Sequence, residues 1–117
     1  MSKLKYARTT ALGQGEASRP EPDMLIDGDP VFTSWPVFEG GIMSGIWSAT
    51  RGHHRVVRGQ DIIESFYILE GELDLFEDGN PLPKRFGPGD LVILEPGFKG
   101  SWKTVADMRK VYFTLQG

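Results

Sequence analysis

The chain has 117 residues, no cysteine and a net charge of -3. That length predicts one domain with enough core to fold without staples, and the missing thiols exclude disulfides and thiolate metal sites. No basic excess favours nucleic acid, and no apolar run nears the roughly 18 residues of a membrane-spanning helix. Lys3 and Lys5 open the chain with no apolar stretch behind them, so the start does not read as a signal peptide. A cytoplasmic protein is the expectation.

Residues 1–24 are polar, carry Gly13, Gly15, Pro20 and Pro22, and read as an N-terminal arm. The arm is either a disordered tail or an extra strand for its own barrel or a partner's sheet. Residues 25–117 read as the folded domain, with a hydrophobic period near two. Ile42–Ala49 reads as a strand, and Arg55–Arg58 as further extended chain after Gly52. Ile62–Leu69 is a nearly unbroken apolar run, which suits a strand covered on both faces. Glu72-Leu73-Asp74-Leu75 alternates with the leucines inward. Asp78-Gly79 between alternating segments predicts a tight type I′ hairpin. Pro88-Gly89-Asp90 turns into the strand Leu91–Leu94, Pro96-Gly97 closes it, and Lys110–Leu115 alternates as a last strand. No window has helical periodicity. The class is all-β, an antiparallel barrel or sandwich.

Two spacings narrow this. Gly52, Arg58, Gln60, Glu64 and Gly71 meet every spacing of a pattern that runs glycine, two histidines, glutamate, glycine. Gly89 and Gly97 fit a second, whose proline falls on Glu95, with Pro96 one step late. Its histidine falls on Gly100 and its asparagine on Thr104. These resemble the two motifs of the cupins. Gly45-Ile46-Trp47, Tyr67–Gly71, Arg85–Asp90, Pro96–Trp102 and Arg109–Tyr112 are similar to a small single-domain, RmlC-like cupin family. Its relatives include the ethanolamine-utilisation cupin and the cupin domain of (S)-ureidoglycine aminohydrolase. The resemblance implies an antiparallel double-stranded β-helix, a jelly-roll barrel around a pocket, and commonly a homodimer.

The chemistry of the motif positions is altered. Cupin metals are held by imidazoles and one carboxylate, a donor set suited to divalent transition ions. Arg58 is permanently charged and has no acceptor, Gln60 offers one weak oxygen, and Gly100 offers nothing. Only Glu64 remains, so neither a motif metal nor another cofactor is expected. His53 and His54, as strand neighbours, point to opposite faces and cannot share an ion without a bulge. One of them is a candidate to titrate beside Glu64, with Arg55 or His54 opposite it if Gly59-Gln60 turns a hairpin.

Glu64 is a candidate acid or base, or a carboxylate satisfied by Arg55 or Arg58. Arg55, Arg58 and Gln60 would position a small anionic metabolite, since guanidinium grips carboxylate with two hydrogen bonds. The plainer role for those charges is a solvated edge strand. Trp47, Tyr67 and Trp102 are candidate pocket aromatics, or core and dimer interface, and Trp102, on the same strand face as Gly100, could fill the space a metal would have occupied. Lys110 is a candidate pocket cation, or a surface lysine. Three functions follow: a metal-free cupin binding an anion, with acid–base chemistry at Glu64; a metal-dependent aminohydrolase-like enzyme using other ligands; or a non-catalytic sensor or accessory subunit.

Overall fold

The computed structural model describes residues 2–116, which form nine strands and no helix. They are β1 (Glu16–Ser18), β2 (Leu25–Gly28), β3 (Phe32–Glu39), β4 (Ile42–Ala49), β5 (Gly52–Val57), β6 (Ile62–Glu77), β7 (Lys84–Phe86), β8 (Leu91–Leu94) and β9 (Lys99–Gln116).

All pairings are antiparallel, and β6 and β9 run side by side for almost their whole length. Each of these two strands serves both halves of one curled sheet. One half runs β1-β3-β4, then the end of β9, the start of β6, and β8. The other runs β2-β5, then the start of β9, the end of β6, and β7. The all-β jelly-roll architecture expected from the motif spacing is what the chain adopts.

The curl is built at Gly71. Ladder register shifts between Ile68 and Leu73 of β6, where the strand must turn from one half to the other. Gly71 has φ +86°, and a Cβ there would stand 2.3 Å from the Asp107 carbonyl oxygen and 2.4 Å from Met108 Cα. Only glycine accepts both the dihedral and the approach. The last glycine of the first motif is therefore a corner residue.

Alternation along the strands sorts side chains between the inside and the outside of the curl. Phe66, Ile68, Leu73, Leu75, Val92, Leu94, Trp102 and Met108 form the core between the halves, each large side chain contributing about 1.5–3 kcal/mol by burial. Ile63 and Tyr67, which alternate with them, are 36% and 46% exposed. The apolar run Ile62–Leu69 is thus covered on one face only, not on both.

Two other local expectations change, and one open alternative is decided. Type I′ geometry needs positive φ at both central residues, yet only Gly79 has it, not Asp78. The connection from β6 to β7 is correspondingly a longer loop over 78–83. Gly59-Gln60 does not turn a hairpin. β5 pairs with β2 and β9, whereas the start of β6 pairs with β8 and β9. The connection crosses from one half-sheet to the other. Finally, the arm adds a strand to its own barrel, β1 on β3. Trp35 Nε1 donates to the Gly13 carbonyl at 3.1 Å and Arg109 Nη1 to that of Thr9 at 3.5 Å, pinning residues ahead of β1.

Candidate functional site

Alternation in β9 turns Trp102, Thr104, Met108 and Lys110 inward, and in β6 it turns Glu64 and Phe66 inward. Lys110 is buried, contrary to the plainer expectation of a surface lysine. Its Nζ donates to Glu64 Oε2 at 2.7 Å. Three rings surround the ammonium: Phe66 at 4.4 Å, Trp102 at 4.6 Å and Trp47 at 4.7 Å from centroid to Nζ. Ring faces carry negative quadrupole charge, and such contacts reach about 2 kcal/mol when desolvated.

Arg58 completes the cluster just past β5. Its backbone N–H donates to the Phe98 carbonyl at 2.8 Å, so the Pro96-Gly97-Phe98 segment sets where it leaves the strand. Its Nε donates to Glu64 Oε1 at 2.8 Å, and Nη2 lies 2.6 Å from the same oxygen. Burial alone pushes the Glu64 carboxyl up. Lys110 and Arg58 outweigh it through charge and hydrogen bonds and hold the carboxyl at about 2. Burial pulls Lys110 below its ordinary value, opposed by Glu64 and reinforced by Arg58.

These groups line a cavity of about 540 Å³ between the half-sheets, with Phe32, Met43 and Tyr112 in its walls. His54 of β5 also faces it. The imidazole packs against Phe32 at 4.8 Å and Trp102 at 6.2 Å. Burial first, then the charges of Lys110, His53 and Arg58, lower His54 to about 4, so the ring is neutral near pH 7.

A family model for the EutQ-like cupin domain matches residues 37–112. The chain is an EutQ-like cupin. No curated protein matches it in sequence. Among solved structures it is similar to a protein of unknown function of the DUF861 family from Pseudomonas syringae pv. tomato. That likeness has TM-score 0.75 and 24% identity, over 88% of this chain and 45% of that one. It is also similar to Clostridium difficile EutQ, with TM-score 0.64 and 18% identity, over 75% and 64% of the two chains. The Schizosaccharomyces pombe Cnp3 cupin domain gives TM-score 0.62 and 18% identity, over 74% and 65%. The chain thus spans less than half of the Pseudomonas protein and about two thirds of EutQ.

The motif positions of this cupin do not fit a divalent metal. Both oxygens of Glu64 are already engaged by fixed cations, Lys110 and Arg58. A Cβ at Gly100 would stand 2.0 Å from the Phe76 carbonyl oxygen, so that position offers no room for any side chain. It is a close backbone approach rather than a vacated ligand site, and Trp102 stands instead within the cavity, against the Lys110 ammonium that pairs with Glu64. Thr104 accepts a hydrogen bond from Trp102 Nε1 at 3.1 Å. Among the described residues, no three His, Asp or Glu side chains come together as a metal would require.

The candidate residues separate clearly. Glu64, Arg58, Lys110, Trp47 and Trp102 converge in the cavity. Arg55 reaches its wall, but its guanidinium is held by Asp78 through two hydrogen bonds of 2.6 and 2.5 Å. Gln60 is exposed in the turn and lies against Gly97, outside the cavity. Tyr67 lies on the outer face of β6. His53 also points away, 2.8 Å from Ser101 Oγ. Phe32 and Phe66 were not among the candidates. Phe66 was legible by parity, two residues after Glu64, whereas Phe32 comes in through long-range pairing that no local pattern announces.

Proposed function

We propose that this cupin binds a small carboxylate in its barrel without a metal, with Arg58 as the anion-binding group. The observation that carries this is a charge excess. Inside the cavity, Arg58 and Lys110 supply two positive charges against the one negative charge of Glu64. Arg55 is neutralised by Asp78, His54 is uncharged, and Glu21 stands at the exposed mouth. A partly buried net charge favours a counter-ion. Lys110 is sealed, whereas the Arg58 side chain is 29% exposed and opens to the cavity. The volume is in the range of small-molecule sites, roughly 300–1,000 Å³.

Glu64 serves in this reading as the anchor of both cations. A carboxyl held at about 2 is a poor proton acceptor near neutral pH, which favours binding over general-base catalysis. The protein is further proposed to be a homodimer. Ile63, Tyr67, Leu91, Ile93, Phe113 and Leu115 are exposed on the outer face of three paired strands, β8, β6 and β9, an apolar patch of the kind that marks an interface.

Thermal-shift measurements with a panel of small carboxylates test the binding. Wild type is expected to be stabilised by at least one, by about 2.7 kcal/mol at a hundredfold excess over Kd, and Arg58→Met to abolish the effect. No stabilisation of wild type by any of them overturns the proposal. Elemental analysis of protein purified without a histidine tag checks the metal. One equivalent of manganese, zinc, iron or nickel per chain would overturn the metal-free part.

A further inference from the structure

His54 has a hydrogen-bonding arrangement that the cluster around Glu64 does not use. Its Nδ1 is buried without any hydrogen-bond partner. Among the described residues, no protein group bonds its Nε2, yet that atom is not sealed as Nδ1 is, and the residue faces the cavity. A neutral imidazole carries one N–H. Buried N–H groups left without an acceptor are rarer than under-satisfied acceptors, which puts the proton on Nε2 and the bare lone pair at Nδ1.

We propose that His54 presents a fixed, neutral Nε2–H donor to the ligand, so that the cavity selects carboxylates carrying a second acceptor oxygen, α-keto or α-hydroxy acids, over simple alkanoates. This rests on the carboxylate reading above. Arg58 holds the carboxylate, and His54 reads the neighbouring oxygen. Packing against Phe32, Trp47 and Trp102, at 4.8, 6.5 and 6.2 Å between ring centroids, holds the imidazole in place, so little ordering remains to be done on binding. The low proton affinity of the ring keeps it a single donor at neutral pH. Leaving that donor unpaired under a bound alkanoate is the source of discrimination.

Calorimetric titration of the full chain with propionate, acetate, pyruvate and lactate tests it. Pyruvate or lactate is expected to bind about tenfold tighter than propionate and acetate, the value of one buried hydrogen bond. His54→Phe is expected to remove the preference while keeping carboxylate binding, and His54→Gln, which keeps a donor, to retain part of it. Equal affinities across the four acids in wild type, or a preference that survives in His54→Phe, overturn this inference and leave the carboxylate reading standing. If none of the four binds, that reading fails for this class and the inference fails with it. Should the variants not fold, long-range nitrogen NMR of wild type decides: the Nε2–H tautomer is expected, and Nδ1–H overturns the proposal.

Discussion

Glu64 is one carboxylate shared by two cations, and its energetics are those of a buried triad. Removing one member of such a group leaves an uncompensated charge in low dielectric, which costs about 3–5 kcal/mol, whereas replacing opposite partners together is far cheaper. In urea denaturation, Glu64→Gln is expected to destabilise by about that amount, because Lys110 stays sealed among three rings. Lys110→Met is expected to cost less, since Arg58 still satisfies Glu64. The double variant Glu64→Gln, Lys110→Met is expected to recover much of the loss of Glu64→Gln. A double variant as unstable as the sum of the two would contradict the coupling. Acid adds a second test. His54 lies at about 4 against an ordinary 6.5, so between these values the unfolded chain binds a proton the folded chain does not. Stability therefore falls as pH drops through that window, by up to about 3 kcal/mol. Glu64, at about 2 against 4.5, loses its own contribution over the lower window. Measuring unfolding free energy between pH 7 and pH 4 is expected to show a slope that His54→Phe reduces but does not abolish, because burial also holds His53 below its ordinary value.

Among the strands, Gly71 and Gly100 are two of the glycines held against crowded backbone. Gly71→Ala would force a Cβ against Asp107 and Met108 at a corner that both half-sheets share. A loss above about 3 kcal/mol, or failure to fold, is expected, and circular dichroism with urea titration checks it. How far these elements were legible follows from the range of each constraint. The strands Ile42–Ala49 and Leu91–Leu94, the last part of β9, and the inward leucines of β6 are local facts of alternation, and they were readable, whereas β3, β7 and the first part of β9 carry no such local signal. The partners of β5 were not readable either, because pairing to β2 and β9 rather than β6 is decided by the curl as a whole. Lys110 shows the same limit. Alternation within β9 permits an inward lysine, but its burial depends on Trp47 and Phe66 from strands far away in sequence. Gly100 misleads for a related reason: motif spacing marks it as a missing ligand, while the Phe76 carbonyl explains it as close packing.

On the scale of the whole molecule, the outer face of β8, β6 and β9 is apolar, whereas the β6–β7 side carries the Arg85 pairs with Asp74 and Glu72. Tyr67 sits directly opposite Leu91, and Ile63 opposite Leu115, so their exposed side chains are continuous across the strands. Light scattering at micromolar concentration is expected to give a dimer mass, and Ile93→Lys to give a folded monomer; a monomeric wild type would contradict the proposed pairing. The cavity is on the inside of the curl, away from that face, so ligand binding and association are expected to vary independently in these variants. The Lys110 ammonium has a consequence of its own. A metal ion must be delivered, can be stripped by a chelator, and can be displaced by a competitor. A charge on the backbone's own side chain arrives with translation and is in position as soon as β6 and β9 pair. The centre of this barrel is charged in every folded copy, whatever the supply of metal around it.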